Sequence, residues 1–197
     1  VMKCYPDDYF DLAVVDPPYG IGMDSNRASQ KGKYGYKQYK ETNWDNSAPD
    51  KGYFEELVRV SRNHIIWGAN HFISKTPHDS PCWLVWDKNN GDNDNADCEL
   101  AITTFKTAVR KFTLHISSTF KHRIHPTQKP VKLYDWIYHN YAEEGQKILD
   151  THLGSGSNAI AAHYAKMGEF VGIELDEDYF KAAQERIQEQ TRQQELF

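Results

Sequence analysis

The chain has 197 residues, of which 39% are hydrophobic and 26% charged, and this composition indicates a globular protein and excludes a disordered one. No apolar run approaches the ~18 residues that a membrane span requires, and the first residues lack the features of a signal peptide, so we expect a cytoplasmic protein with no membrane partner. The net charge of -5 argues mildly against a polyanionic partner, and three distant cysteines do not suggest a disulfide framework or a zinc site of paired cysteines.

Short apolar runs alternate with segments of helical periodicity, which is typical of an α/β protein. Six runs predict strands, at residues 10–16, 64–70, 81–88, 99–105, 146–150 and 169–175. Four segments predict helices, at residues 53–62, 130–142, 158–168 and about 178–194. Residues 21–50 and 87–97 are polar and lack periodicity, so we expect loops there. No internal repeat is evident, and we interpret residues 1–197 as one domain.

Two segments of this acidic chain are strongly basic. Residues 106–132 carry seven Lys or Arg and no acid, and residues 27–40 carry five basic residues, no acid and three tyrosines. The first segment supplies candidate phosphate contacts at Lys121, Arg123 and Lys129, with Arg110 and Lys111 nearby, although a solvated basic face is the alternative. The second combines cations with stacking surfaces at Lys33, Tyr34 and Tyr36, as contacts to a single strand or a flipped base do, although a disordered loop is an equal alternative.

A glycine-rich turn, KILDTHLGSGSNAIAA, joins the strand at 146–150 to the following helix. Its glycines, Gly154 and Gly156, let backbone N–H groups approach a ligand closely. Glu174 ends the next strand, where a carboxylate can accept hydrogen bonds from both ribose hydroxyls of a nucleoside. The pattern predicts an adenosine-containing cofactor, with a ligand-free turn as the alternative, and it does not separate a dinucleotide from S-adenosylmethionine.

The motif Asp16-Pro17-Pro18-Tyr19 directly follows the first predicted strand. An exocyclic amine on a base is a poor nucleophile, because its lone pair is delocalised into the ring. The Asp16 carboxylate and the Pro17 carbonyl could accept its two N–H bonds and turn the lone pair toward a methyl donor, and the prolines would fix that carbonyl in place. Tyr19 would offer a ring face to an extruded base. A Pro-Pro turn that ends a core strand is the alternative.

Three blocks of the chain together resemble the β class of DNA amino-methyltransferases, in which the catalytic motif precedes the cofactor motif. They are DPPYG at 16–20, HPTQKPVKL at 125–133, and DTHLGSGS at 150–157 followed by GIELDEDYF at 172–180. The resemblance implies an α/β, Rossmann-like methyltransferase sheet with circularly permuted motif order. That sheet is seven-stranded and mostly parallel, with one antiparallel edge strand. The implied cofactor is S-adenosylmethionine and the implied partner is double-stranded DNA, with a cognate restriction endonuclease and a homodimer as further candidates.

The resemblance also assigns site residues. It places Asp16, Pro17, Pro18 and Tyr19 at the reacting centre, and it implies cofactor contacts from Asp150, His152, Gly154, Ser155, Gly156, Glu174 and Lys129. Thr151 and His152 depart from the family pattern, because they stand where the family usually has Pro and Phe. Neither the histidine spacing nor the reaction calls for a metal.

Two further departures concern the fold. We count six strands, and the strand that usually precedes the catalytic motif is not in this sequence, so we expect a sheet that lacks one N-terminal strand. The space for a target-recognition part is small, so DNA contacts are expected from insertions at 21–50 and 106–125, or from a second subunit.

By resemblance, Asp16 favours adenine as the substrate, because relatives that methylate the cytosine amine more often have Ser at that position. Cytosine N4 methylation, an RNA or protein-amide substrate, and a nucleic-acid-binding module with impaired cofactor binding are the alternatives.

Overall fold

The computed structural model describes residues 1–22, 45–76, 79–91, 96–115 and 123–192. Four predicted nucleic-acid contacts, Lys33, Tyr34, Tyr36 and Lys121, lie outside the described residues. The same holds for most of the predicted insertion at 21–50 and for part of the one at 106–125.

A sheet of seven strands forms the centre of the described structure. The strands are β1 (Phe10–Val15), β2 (Ser61–Trp67), β3 (Trp83–Asp87), β4 (Cys98–Thr103), β5 (Arg110–Thr113), β6 (Lys147–Asp150) and β7 (Glu169–Gly172). Their spatial order is β5-β3-β4-β2-β1-β6-β7. Strand β4 runs antiparallel to both of its neighbours, β2 and β3, and the other pairings are parallel.

The sheet corrects two expectations. The count of six strands is wrong, because Arg110–Thr113 pairs with β3 as a seventh strand at the sheet edge. Its sequence RKFT is short and mostly polar, so it carries no apolar signal, as is common at sheet edges. The antiparallel strand is not at an edge, since β4 lies between β2 and β3. Ahead of β1, Met2–Cys4 forms a single 3-10 turn.

The four predicted helices are present as α1 (Lys51–Val60), α2 (Val131–Tyr141), α3 (Ser157–Tyr164) and α4 (Glu177–Arg192). Asp50 caps α1, because its side chain accepts a hydrogen bond from the Tyr53 N–H at 2.9 Å. Helix α1 ends before the predicted residue 62, since Ser61 is extended and begins β2. Within the described ranges, no helix combines the length and apolar character needed to cross a bilayer.

The sheet is packed between two layers of helices, and β1 shows how. Leu12 and Val14 point to the side on which α2 and α3 pack, whereas Ala13 and Val15 point to the side of α1. This burial on both faces explains why β1 is an almost unbroken apolar run rather than an alternating one.

The parallel strands place their carboxyl ends at one edge of the sheet. Strands β1 and β6 are neighbours at which the chain order reverses, and a crevice outside such a point is the usual ligand site of an open α/β sheet. Because β4 runs the other way, it brings its first residues, Cys98 and Glu99, to the same edge, opposite Asp87 and Trp86 of β3. The edge therefore collects residues that are far apart in the sequence.

Candidate active site

Two cavities open at this edge of the sheet and meet at Asp16. The first, of about 500 Å³, lies over the glycine turn between β6 and α3, and we call it the turn cavity. The second, of about 330 Å³, lies over the ends of β1 and β2, and we call it the motif cavity. Their shared wall consists of Asp16, Pro18, Thr127, Gln128 and Lys129.

Glu174 ties the turn cavity together. One oxygen of its carboxylate accepts a hydrogen bond from the Gly154 N–H at 2.8 Å, and the other accepts from the N–H groups of Leu175 and Asp176 at 2.9 and 3.0 Å. Gly154 lies in the left-handed region at φ 52°, and both residues line the cavity. The predicted pairing of a glycine turn with an acid after the next strand is thus present as a direct contact.

Asp150 lies behind this wall rather than in it. Its carboxylate accepts hydrogen bonds from Asn158 Nδ2 at 2.9 Å and from the His152 N–H at 3.0 Å, and burial raises its pKa to about 7. Gly156 is the residue before α3, and a Cβ there would come within 2.9 Å of Ile187. Both residues hold the turn in shape, and direct contact with a cofactor stays a prediction for them.

His152 supplies an aromatic wall to the turn cavity at the position where the family usually has Phe. Burial lowers the pKa of its imidazole to about 4, so the ring is neutral. Its Nδ1 is 3.0 Å from the Thr151 hydroxyl, which in turn contacts the Tyr53 hydroxyl at 2.6 Å. The Tyr53 ring packs edge-on to the imidazole at 5.6 Å. The two departures from the family pattern therefore satisfy each other.

Tyr19 forms one side of the motif cavity. Its ring stacks on His71 with centroids 4.8 Å apart and an angle of 15° between the planes. Gly68, at φ 70° after β2, makes room for it, because a Cβ there would lie 2.0 Å from Tyr19 Cε1. Asn70 and His71 both line the cavity.

Four charged side chains of alternating sign follow one another along the motif cavity, and we call them the charge chain: Asp16, Lys129, Glu99 and Lys88. The Lys129 ammonium contacts Asp16 Oδ2 at 2.5 Å and Glu99 Oε2 at 2.9 Å, and Lys88 contacts Glu99 Oε1 at 2.7 Å. The Tyr19 hydroxyl donates to Asp16 Oδ1 at 2.8 Å. Both oxygens of Asp16 therefore have a donor.

Burial and pairing oppose each other in the charge chain. Burial raises the pKa of Asp16, and the nearby Lys129 offsets only part of that rise. For Glu99 burial is outweighed by Lys129 and Lys88, which lower its pKa to about 2. Burial also raises the pKa of Tyr19 well above its ordinary value, so its hydroxyl remains a donor. Glu99 thus stays ionised, whereas Asp16 is the carboxylate of this pair that takes up a proton first as the pH falls.

The turn formed by residues 123–129 builds the shared wall. Gln128 Oε1 accepts from the Ile124 N–H at 3.0 Å, and the Gln128 N–H donates to the His125 carbonyl at 3.2 Å. Arg123, predicted to face phosphate, donates its Nε to the same carbonyl at 3.2 Å and lines the motif cavity. Lys129, predicted to bind the cofactor, contacts Asp16 and Glu99 while facing both cavities, so its role toward the cofactor stays a prediction.

The other predicted phosphate contacts lie away from the cavities. Arg110 and Lys111 are exposed on the edge strand β5, and Lys111 pairs with Asp87 at 3.0 Å. Sequence reasoning missed Glu99, Lys88 and Gly68. A carboxylate at the start of the apolar segment ELAITTF is a signal that could have singled out Glu99.

Known proteins resemble this chain in sequence and in fold. The chain is 24% identical to the type II methyltransferase M.HpaI of Haemophilus parainfluenzae, over 94% of this chain and 70% of that protein. Its fold matches the structure of M1.HpyAVI in complex with S-adenosylmethionine, with a TM-score of 0.62, 20% identity, and coverage of 91% of this chain and 89% of that one. It also matches the cytosine-N4-specific PvuII DNA methyltransferase, with a TM-score of 0.57, 11% identity, and coverage of 98% and 88%.

Residues 37–185 match the DNA methylase family N6_N4_Mtase, and the chain belongs to that family. The predicted family and the α/β methyltransferase fold are thereby confirmed.

Proposed function

We propose that this DNA methylase transfers a methyl group from S-adenosylmethionine to the 6-amino group of adenine in DNA. The observation that carries the proposal is the junction of the two cavities at Asp16, where a ligand over the glycine turn and an amine in the motif cavity would meet. A single carboxylate in the shared wall can then hold the amine while the cofactor stays on the other side.

The turn cavity fits S-adenosylmethionine. Its volume of about 500 Å³ is within the range of small-molecule sites. Gly154 brings backbone close to the ligand, Glu174 presents a carboxylate to ribose hydroxyls, and the neutral His152 offers an aromatic surface. When bound, S-adenosylmethionine supplies a methyl group on a positively charged sulfur.

Asp16 and Pro17 act on the amine. The ionised Asp16 carboxylate accepts one N–H of the amine, and the Pro17 carbonyl, stiffened by two prolines, accepts the other, so that the lone pair turns toward the turn cavity. Protonated Asp16 would be a weaker acceptor and would carry an O–H donor of its own. We therefore expect the transfer rate to fall at acidic pH as Asp16 becomes protonated. Because burial raises the pKa of Asp16, this fall should begin at a higher pH than for an ordinary aspartate.

Tyr19 holds the base. Extruding a base from the duplex costs a few kcal/mol, and stacking on an aromatic ring returns about 1–3 kcal/mol. Because the Tyr19 ring is itself backed by His71, it is fixed before the base arrives.

Adenine is proposed over cytosine on the resemblance carried by Asp16, and cytosine N4 methylation is the second candidate, favoured by the fold match to a cytosine-N4-specific enzyme. Incubation of DNA with the protein and labelled S-adenosylmethionine, followed by nucleoside analysis, separates the two. Labelled N6-methyl-2′-deoxyadenosine supports the proposal, and labelled N4-methyl-2′-deoxycytidine overturns its substrate.

Asp16→Ala tests the mechanism in the same assay. We expect transfer to fall by about 10³-fold or more, because one of two fixed acceptors is lost. Asp135→Ala, an exposed carboxylate on α2, is the matched control and should leave transfer unchanged. Full activity of Asp16→Ala contradicts the mechanism, and label that resists DNase but not RNase contradicts DNA as the substrate.

A further inference from the structure

The charge chain contains a carboxylate that the proposed reaction does not use. Glu99 does not touch the turn cavity, and it reaches the motif cavity from β4, a strand with no part in the three sequence motifs. Its oxygens contact Lys129 at 2.9 Å and Lys88 at 2.7 Å, and its Oε2 lies 3.5 Å from the Tyr19 hydroxyl. The Glu99 carboxylate is thus a partly buried group with two cationic partners beside the reacting centre, and the proposed reaction gives it no role.

Binding of an amine at Asp16 requires a rearrangement. Both Asp16 oxygens already accept, one from Tyr19 and one from Lys129, and an incoming amine must displace a donor or share an oxygen with it. The Lys129 side chain is 4% exposed, and removing its carboxylate partner would leave a buried charge uncompensated, at a high energetic cost. Loss of the contact with Asp16 costs Lys129 less free energy, because its ammonium is already in contact with Glu99.

We propose that Glu99 is a positioning residue for methyl transfer, which retains the Lys129 ammonium when the target amine takes its place on Asp16. Lys88 completes the arrangement, because it keeps Glu99 compensated when Lys129 is shared with Asp16. The inference rests on the proposed function, since it takes the amine to bind at Asp16.

Loss of the Glu99 charge would have two opposite effects. Lys129 would be left with Asp16 alone and would compete more strongly with the amine, so the rate would fall. At the same time a nearby negative charge would be gone, so the pKa of Asp16 would fall. Asp16 also faces the Tyr19 hydroxyl directly, and Asp150 and Tyr134 at longer range. These groups are unchanged when the charge of Glu99 alone is removed.

A Glu99→Gln variant tests the proposal through the pH profile of transfer. We expect kcat with saturating DNA to fall about tenfold, the acid limb of the profile to move to lower pH, and affinity for S-adenosylmethionine to stay unchanged. Simple damage to the fold would lower the rate without moving the acid limb downward. Glu55→Gln, the same change in the exposed pair with Lys51 on α1, is the matched control and should behave as wild type.

Glu99→Gln leaves an unbalanced positive charge in a buried place, so a second variant guards against misfolding. Lys88→Met/Glu99→Gln removes one charge of each sign and should show the same downward movement of the acid limb. A wild-type rate and profile in either variant overturns the proposal, and so does an acid limb that moves to higher pH.

A measurement without turnover separates this inference from the proposed function. In protein carrying ¹³C-labelled Asp carboxyl groups, with the Asp16 signal assigned by Asp16→Asn, NMR titration should show a lower pKa for Asp16 in Glu99→Gln than in wild type. An unchanged or higher pKa of Asp16 in this variant would contradict the proposal that Asp16 and Glu99 share Lys129. Absence of methyl transfer by the wild type together with the lower pKa would instead reject the proposed function and leave the sharing of Lys129 intact.

Discussion

The two cavities that meet at Asp16 are built in opposite ways. The turn cavity is lined by the glycine turn around Gly154, by residues 173–176 and by the shared wall, and the hydrogen bond from the Gly154 N–H to Glu174 joins its first two parts. The motif cavity is assembled from the ends of β1 and β2, the start of β4 and the turn at 123–129, and charged side chains form much of its wall. A site set by backbone tolerates side-chain exchange, whereas a site set by buried charges does not.

Among the tests that separate the two cavities, Gly68→Ala is expected to have the largest effect. In Gly68→Ala the new Cβ would lie 2.0 Å from Tyr19 Cε1, so the ring must leave its place and transfer should fall about 100-fold, while affinity for S-adenosylmethionine is retained. Gly91→Ala has a similar φ of 66° but no atom within 4 Å, so it carries the backbone strain without the clash. Equal losses in both variants would show that strain, not Tyr19, is responsible.

His152→Phe tests how freely the turn cavity accepts exchange. The pKa of His152 is lowered from 6.5 to about 4, so the unfolded chain binds a proton that the folded one refuses, and stability present above pH 6.5 is lost as pH falls toward 4. The free energy of unfolding of the wild type should therefore drop between pH 7.5 and 4.5 by about 2–3 kcal/mol more than that of His152→Phe. Urea unfolding at the two pH values measures this difference.

His125 is the internal control for that measurement. Burial and the charges of Arg123 and Lys129 lower its pKa to about 4 as well, and it titrates in both proteins, so its contribution cancels. Parallel stability curves for the two proteins would contradict a buried neutral His152. Affinity for S-adenosylmethionine should remain within about threefold, because an aromatic ring replaces another.

Glu174→Gln should weaken S-adenosylmethionine binding by about tenfold, because a charged acceptor toward ribose and toward the Gly154 N–H becomes neutral. Calorimetry measures the affinity, and kcat at saturating cofactor should change little because Glu174 is outside the motif cavity. Glu177→Gln, an exposed carboxylate at the start of α4, is the matched control. A loss that appears only in kcat would contradict the assignment of Glu174 to cofactor binding alone.

The smallest effect is expected outside both cavities. Arg110→Ala on β5 should weaken DNA binding a few-fold and reduce the slope of log affinity against log salt by about 0.9, if one phosphate contact is lost. Fluorescence anisotropy across salt concentrations measures it, with Lys181→Ala in the acidic helix α4 as the control. An unchanged slope would identify Arg110 as part of a solvated face.

What the sequence could reveal follows the same division. The glycine turn, Glu174 and the catalytic motif lie next to strand ends in sequence, so a local pattern locates them. Glu99 comes near Asp16, and into contact with Lys88, only through the antiparallel insertion of β4, a pairing that no local pattern encodes. Strand β5 was missed for a different reason, because its pairing with β3 rather than its own apolar content makes it a strand.

The direction of β4 also has a consequence for folding. Side chains alternate along a strand, so a slip of one residue against β3 would put Cys98 or Leu100 opposite Trp86 in place of Glu99. Lys88 and Lys129 would then be buried without their common carboxylate, and the misregistered sheet would be heavily penalised. The charge chain thus stabilises the native register of β4. The same residues that surround Asp16 in the native protein would destabilise a sheet in which β4 is shifted by one residue.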